Sequence, residues 1–164
     1  MLNRLKEYLD RNHIKYLVIT HSPAYTASEI AAAAHVSGKE IAKTVMTLTG
    51  GKMAMAVLPA SFMVDFDVLR EVDPGTDVRL ASEREFQDLF PECELGAMPP
   101  CGSLFGMNVM VDRSLTGNHD ILFNAGTHRE LIRMWYPDFE RLVRPRVLSF
   151  GVPRRTPKDY LEVL

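Results

Sequence analysis

The chain is poor in cysteine, has no strong excess of either charge and contains no long apolar run. Two cysteines in 164 residues, Cys93 and Cys101, cannot build a disulfide scaffold, so a reducing, cytoplasmic setting is expected. A formal net charge of -2, from 19 basic and 21 acidic residues, argues against a surface that grips nucleic acid on all sides. It leaves room only for a local basic patch. No apolar stretch could span a bilayer, and "MLNRLKEYLDRNHIKYLV" carries charges throughout, unlike a secretory signal. No glycine-rich turn follows the first strand-like segment, which disfavours a doubly wound nucleotide fold. Repeats and low-complexity tracts are missing as well. The metal-ligating candidates His21, His35, His119, His128, Cys93 and Cys101 form no close pair at zinc spacing, so neither metal nor cofactor is expected. Cys101 has no local signature of an activated thiol.

What is present suits one domain over residues 1–164, ending in a short tail at about 152–164. At 46% apolar residues the chain can bury a proper core. Leu2, Leu5 and Leu9 recur at helical spacing in the first segment. "IKYLVITH" alternates like a strand. "TASEIAAAAHV" opens with Thr26 and Glu29 at capping-box spacing, which predicts a helix, and Ser82 and Glu85 repeat that spacing further on. Residues 41–60 read as a hairpin about Gly50-Gly51. "DFDVLREV" reads as a short helix, "NVMVDRSL", "DILFNAG", "HRELIRMWY" and "RVLSFG" as strands, and "PDFERLV" as a helix begun by Pro137. Short helices scattered among strands predict an α+β domain with a mixed sheet.

Three stretches carry chemistry. In "IAKTVM" the alternation places Ile41, Lys43 and Val45 on one face and Ala42, Thr44 and Met46 on the other. Lys43 is then either a snorkelling edge lysine or an ammonium aimed into a pocket. "FNAGTH" ends a strand at Asn124, with Gly126 and His128 at its mouth, and reads as an ordinary turn or as a site. "ELGAMPPCGSLFG" combines glycines that let a carbonyl approach a bare amide with prolines that stiffen the loop.

Together and in order, "HSPAYTASEIAAAAHVSGKEIAKTV", "AVLPASFMVDFDVLRE", "VRLASEREFQDLFPECELGAMPPCGSLFG" and "ILFNAGTHRELIRM" resemble the YbaK/prolyl-tRNA synthetase-associated editing domain family, from roughly His21 to Phe150. The resemblance implies an α+β fold with a mixed, barrel-like sheet surrounded by short helices. It implies a trans-editing deacylase acting on mischarged aminoacyl-tRNA, chiefly tRNA-Pro carrying a wrong small amino acid, with prolyl-tRNA synthetase as a candidate partner; a monomer is the default expectation. The family's functional lysine falls on Lys43, its loop glycine and proline on Gly96 and Pro100, and its glycine-x-histidine motif on Gly126 and His128. Lys43, Gly96 and His128 are the implied catalytic set. His21, Tyr25, Thr26 and Ser61 would complete a terminal-adenosine pocket, with Thr44 and Asn124 beside it. The sequence departs from relatives at Thr44, where asparagine is frequent, and at Cys101, where an aromatic is common. Arg141, Arg144, Arg146, Arg154 and Arg155 are candidates for tRNA contact. The rival reading is a non-catalytic module that binds an aminoacyl-adenosine or a tRNA 3′ end.

Overall fold

A computed structural model describes residues 1–154. Helix α1 (Asn3–Arg11) turns Leu5 and Leu9 into the main core. After it come strand β1 (Tyr16–Thr20) and helix α2 (Ala27–Ala34). The capping box of α2 forms as its spacing predicts: Thr26 Oγ1 accepts the Glu29 N–H, and the Glu29 carboxylate accepts the Thr26 N–H. Strands β2 (Ala42–Thr49) and β3 (Lys52–Pro59) make the expected hairpin, in register from Thr49 opposite Lys52 to Ala42 opposite Pro59. Strand β4 (Phe62–Val64) leads to helix α3 (Phe66–Val72), which Asp65 caps by accepting two backbone N–H groups. Next come β5 (Val78–Leu80), α4 (Glu83–Phe86), β6 (Asn108–Asp112), β7 (Asp120–Asn124) and β8 (Glu130–Trp135). Helix α5 (Tyr136–Val143), β9 (Arg146–Leu148) and β10 (Gly151–Pro153) complete the described chain.

The strands form a mixed five-stranded sheet ordered β5-β2-β3-β6-β9, an antiparallel sheet β1-β8-β7 and the pair β10-β4. An isolated parallel bridge between Ile41 and Leu122 joins the first two sheets. The expected α+β class with a mixed sheet therefore holds, but the described strands lie in three open sheets rather than one barrel-like sheet. Strands β4 and β10 were not predicted, because three residues are too few to show a period. The predicted tail at about 152–164 lies mostly outside the described residues, and its first two residues belong to β10. Among the described residues no helix is long and apolar enough to cross a membrane.

The faces of β2 separate as the alternation predicts. Ala42 and Met46 enter the main core, while Val45, on the Lys43 face, packs against a second cluster around Leu58, Leu69 and Phe150. A third cluster, Ala24, Ile30, Ile41, Leu122 and Leu131, packs α2 on the three-stranded sheet. The candidate site opens where α2, the start of β2 and the ends of β3 and β7 meet.

Candidate active site

A cavity of about 500 Å³ is walled by Tyr25, Thr26, Lys43, Thr44, Ser61, Gly96, Asn124 and His128, together with Arg154. Residues from five separate stretches of sequence thus converge as the family motifs imply. His21, Pro100 and Gly126 stand outside this lining. His21 is buried and donates its N–H to the Arg129 carbonyl. Pro100 is buried behind the loop. Gly126 (φ +96°) has no room for a side chain, since a Cβ would stand 2.6 Å from Leu2 Cγ. Its glycine serves the packing of the N-terminal segment.

The loop beginning at Glu94 is laced to the turn after β7. Glu94 N–H donates to the Gly126 carbonyl at 2.9 Å, and Gly126 N–H donates to the Ala97 carbonyl at 3.0 Å. The Glu94 carboxylate accepts the His128 N–H at 2.8 Å, and the His128 ring meets the Leu95 carbonyl through Nε2, also at 2.8 Å. A carbonyl can only accept, so Nε2 carries a proton, and Nδ1 is the ring atom left to hold the lone pair when the ring is neutral. That Nδ1 is buried without a partner, and so is Asn124 Oδ1. An orphaned buried acceptor costs about 1–3 kcal/mol, a cost that a donor on a ligand can recover. Tyr25, 69% exposed, lies against His128 with ring centroids 4.7 Å apart and planes tilted by 43°.

Gly96 sits at the cavity mouth with φ +85°, a backbone state that side chains disfavour. A Cβ there would stand 3.6 Å from His128 Cε1, an ordinary contact, so conformation rather than protein crowding selects the glycine. Among the described residues its N–H meets no protein acceptor, which leaves a donor beside the cavity.

Lys43 is half-buried and makes no ion pair among the described residues. Burial pushes its ammonium below the usual lysine range, and the Arg154 charge adds to that shift. Thr44 lines this cavity and also an adjoining groove of about 340 Å³, which reaches Met98 and Phe86. Cys101 is fully buried in the main core, and burial pushes its thiol up to about 12. It packs behind the loop and touches neither space.

The predicted tRNA contacts scatter. Arg141 pairs with Asp138. Arg144 and Arg146 line a separate groove with Lys52. Arg154 enters the cavity, and Arg155 lies outside the described residues. Sequence reasoning missed Glu94 as the residue that holds His128. An acid two residues before Gly96, at the head of an otherwise apolar loop, was the available signal.

The family model of the aminoacyl-tRNA editing domain matches residues 21–142, and the chain belongs to that family. In fold it is similar to the crystal structure of the hypothetical protein APE2540 (TM-score 0.81, 22% identity, 92% of this chain and 100% of that one). It is also similar to that of a candidate trans-editing enzyme for prolyl tRNA synthetase (TM-score 0.76, 21% identity, 91% of this chain and 95% of that one). No curated protein matches the sequence.

Proposed function

We propose that the chain is a trans-editing hydrolase that deacylates mischarged aminoacyl-tRNA, with tRNA-Pro carrying a wrong small amino acid as its substrate. The observation that carries this reading is the convergence of Lys43, the Gly96 N–H and His128 on one cavity that no acidic side chain lines among the described residues. The tRNA-Pro assignment draws on the likeness to the candidate trans-editing enzyme for prolyl tRNA synthetase. The small side chain draws on the imidazole, which stands close to the space above Gly96.

Water adds to the ester carbonyl carbon, and the tetrahedral oxyanion collapses. The ribose oxygen leaves and takes up a proton from water. The Gly96 N–H is placed to donate to the developing oxyanion, which a preorganised amide stabilises more than it does the ground-state carbonyl. Lys43 holds the phosphate and ribose side of the terminal nucleotide, so that the ester meets water in a reactive pose. His128, fixed through Leu95 and Glu94, walls the cavity beside Gly96 and limits the space open to the substrate's amino-acid end.

The test is deacylation of tRNA-Pro charged separately with alanine, cysteine, serine and proline. Lys43→Ala is expected to lower the rate on the best of these by about 100-fold, or about 2.7 kcal/mol of barrier. A rate within about twofold of the unmodified protein removes Lys43 from its role, and equal rates on all four esters remove the small-residue specificity.

A further inference from the structure

Two cations without an ion-pair partner among the described residues line the same cavity. Lys43 comes from β2 and Arg154 follows β10, and neither has an ion-pair partner among the described residues. Among the described residues no carboxylate lines the cavity, and three that lie near its walls in sequence are engaged with backbone. Glu29 accepts from the N–H groups of Tyr25 and Thr26. Glu94 accepts from His128, and Asp65 from Asp67 and Val68. The Arg154 charge contributes to the lowered proton affinity of Lys43. Like charges gathered without a counter-ion disfavour the charged forms, and an anion entering the cavity would relieve that penalty.

The approach of Arg154 is built into the fold. The buried Asp112 carboxylate accepts the Phe150 N–H at 2.9 Å and the Gly151 N–H at 2.6 Å. This anchor aligns Gly151 with Val64 and Pro153 with Phe62 in the β10-β4 pair. Arg154 N–H then donates to the Ser61 carbonyl at 3.3 Å, at the cavity wall. The arm is therefore held by backbone pairing and a core carboxylate, independently of any charge on its side chain.

We infer that Arg154 and Lys43 form a phosphate clamp for the 3′ end of the RNA, with Arg154 gripping the phosphodiester on the 5′ side of the terminal adenosine. A guanidinium suits this task because its planar fork can meet two phosphate oxygens at once, whereas the lysine ammonium acts as a point charge. The identity of the nucleotide rests on the aminoacyl-tRNA reading; the clamp rests on the cavity alone.

The test titrates the full chain and its Arg154→Gln variant with the trinucleotide CCA and with adenosine, which lacks a phosphate. Arg154→Gln is expected to weaken CCA about tenfold and to flatten the plot of log affinity against log salt by about 0.7, the share of one phosphate contact on a single strand. Adenosine affinity should stay within about twofold. Arg154→Lys is expected to restore the salt slope but not the full affinity, because the fork is lost. Unchanged CCA affinity in Arg154→Gln overturns the inference. So does an equal loss for adenosine, or CCA binding no tighter than adenosine in the unmodified chain. If CCA binds through Arg154 while no aminoacyl-tRNA is hydrolysed, the clamp stands and the deacylase reading falls.

Discussion

Asp112 and Lys43 belong to the same five-stranded sheet and are provided for in opposite ways. The Asp112 carboxylate is 3% exposed and accepts from the N–H groups of Phe150, Gly151 and Ser114 and from the Ser114 hydroxyl. Its lone pairs are saturated by the chain itself. The Lys43 ammonium is half-buried at a cavity wall, has no acceptor among the described residues, and shares the space with another cation. Burial of a charge is tolerated when hydrogen bonds replace water. The first site meets that condition within the fold, and the second leaves it to solvent or a ligand. Asn124 Oδ1 and His128 Nδ1, buried and unpartnered, follow Lys43. Thr47, whose buried hydroxyl donates to the Ala54 carbonyl at 3.2 Å, follows Asp112. Saturated groups such as Asp112 hold the structure, whereas at this cavity Asn124 Oδ1 and His128 Nδ1 are left without a partner.

The largest effect should come from breaking the saturated site. Asp112→Ala strands three backbone N–H groups and a hydroxyl that now meet a charged acceptor. Since hydrogen bonds to charged groups contribute about 1.5–3 kcal/mol each, the summed loss after relaxation is expected to be about 3–4 kcal/mol in urea unfolding. Asp112→Asn keeps one acceptor oxygen and should lose roughly half as much. A loss below about 1 kcal/mol in Asp112→Ala would mean that β10 and the β9–β10 turn stand without the carboxylate, and the contrast with Lys43 would fail.

A smaller effect is expected at the cavity mouth. Gly96→Ala forces a side chain into φ +85° at a cost of about 1–2 kcal/mol, while its methyl group makes only an ordinary contact with His128. Deacylation should fall about tenfold, equivalent to about 1.4 kcal/mol of barrier, through a displaced amide and a narrowed approach. Rates equal to those of the unmodified protein would show that the Gly96 N–H meets no reacting oxygen.

Much of this was legible in the sequence, because most of the signals were local. The Thr26–Glu29 capping box, the Gly50-Gly51 hairpin and the face alternation about Lys43 are each decided within a few residues, and each appears in the structure. The long-range pairings were not legible. The parallel pairing of β3 with β6 and of β6 with β9 leaves no turn dipeptide to announce it, and β4 and β10 are too short to show a period. At the site, the motifs located Lys43, Gly96 and His128, but spacing alone could not show that Gly126 answers to Leu2 rather than to a ligand. The departure at Cys101 lies in the core, whereas the one at Thr44 lines the cavity. Arg154 was legible only as one basic residue among several. Its place depends on Asp112, 42 positions earlier in the chain, and no local pattern encodes that link.

The smallest effect has the most informative sign. Lys43→Met keeps the apolar stem and removes the ammonium, so it should stabilise the fold by about 0.5–1 kcal/mol while lowering the proposed activity as Lys43→Ala does. The pH dependence follows from the direction of the shift. The folded-state value lies below the ordinary 10.5, so between the two values the unfolded chain binds more protons, and the unmodified protein gains stability as pH rises through that window. The advantage of Lys43→Met should therefore be greatest near neutral pH and shrink toward pH 10.5. Urea unfolding of both proteins at several pH values measures this directly. A destabilised Lys43→Met at neutral pH would mean that the ammonium already has a partner within the fold, and Lys43 would then belong with Asp112 among the groups that hold the structure.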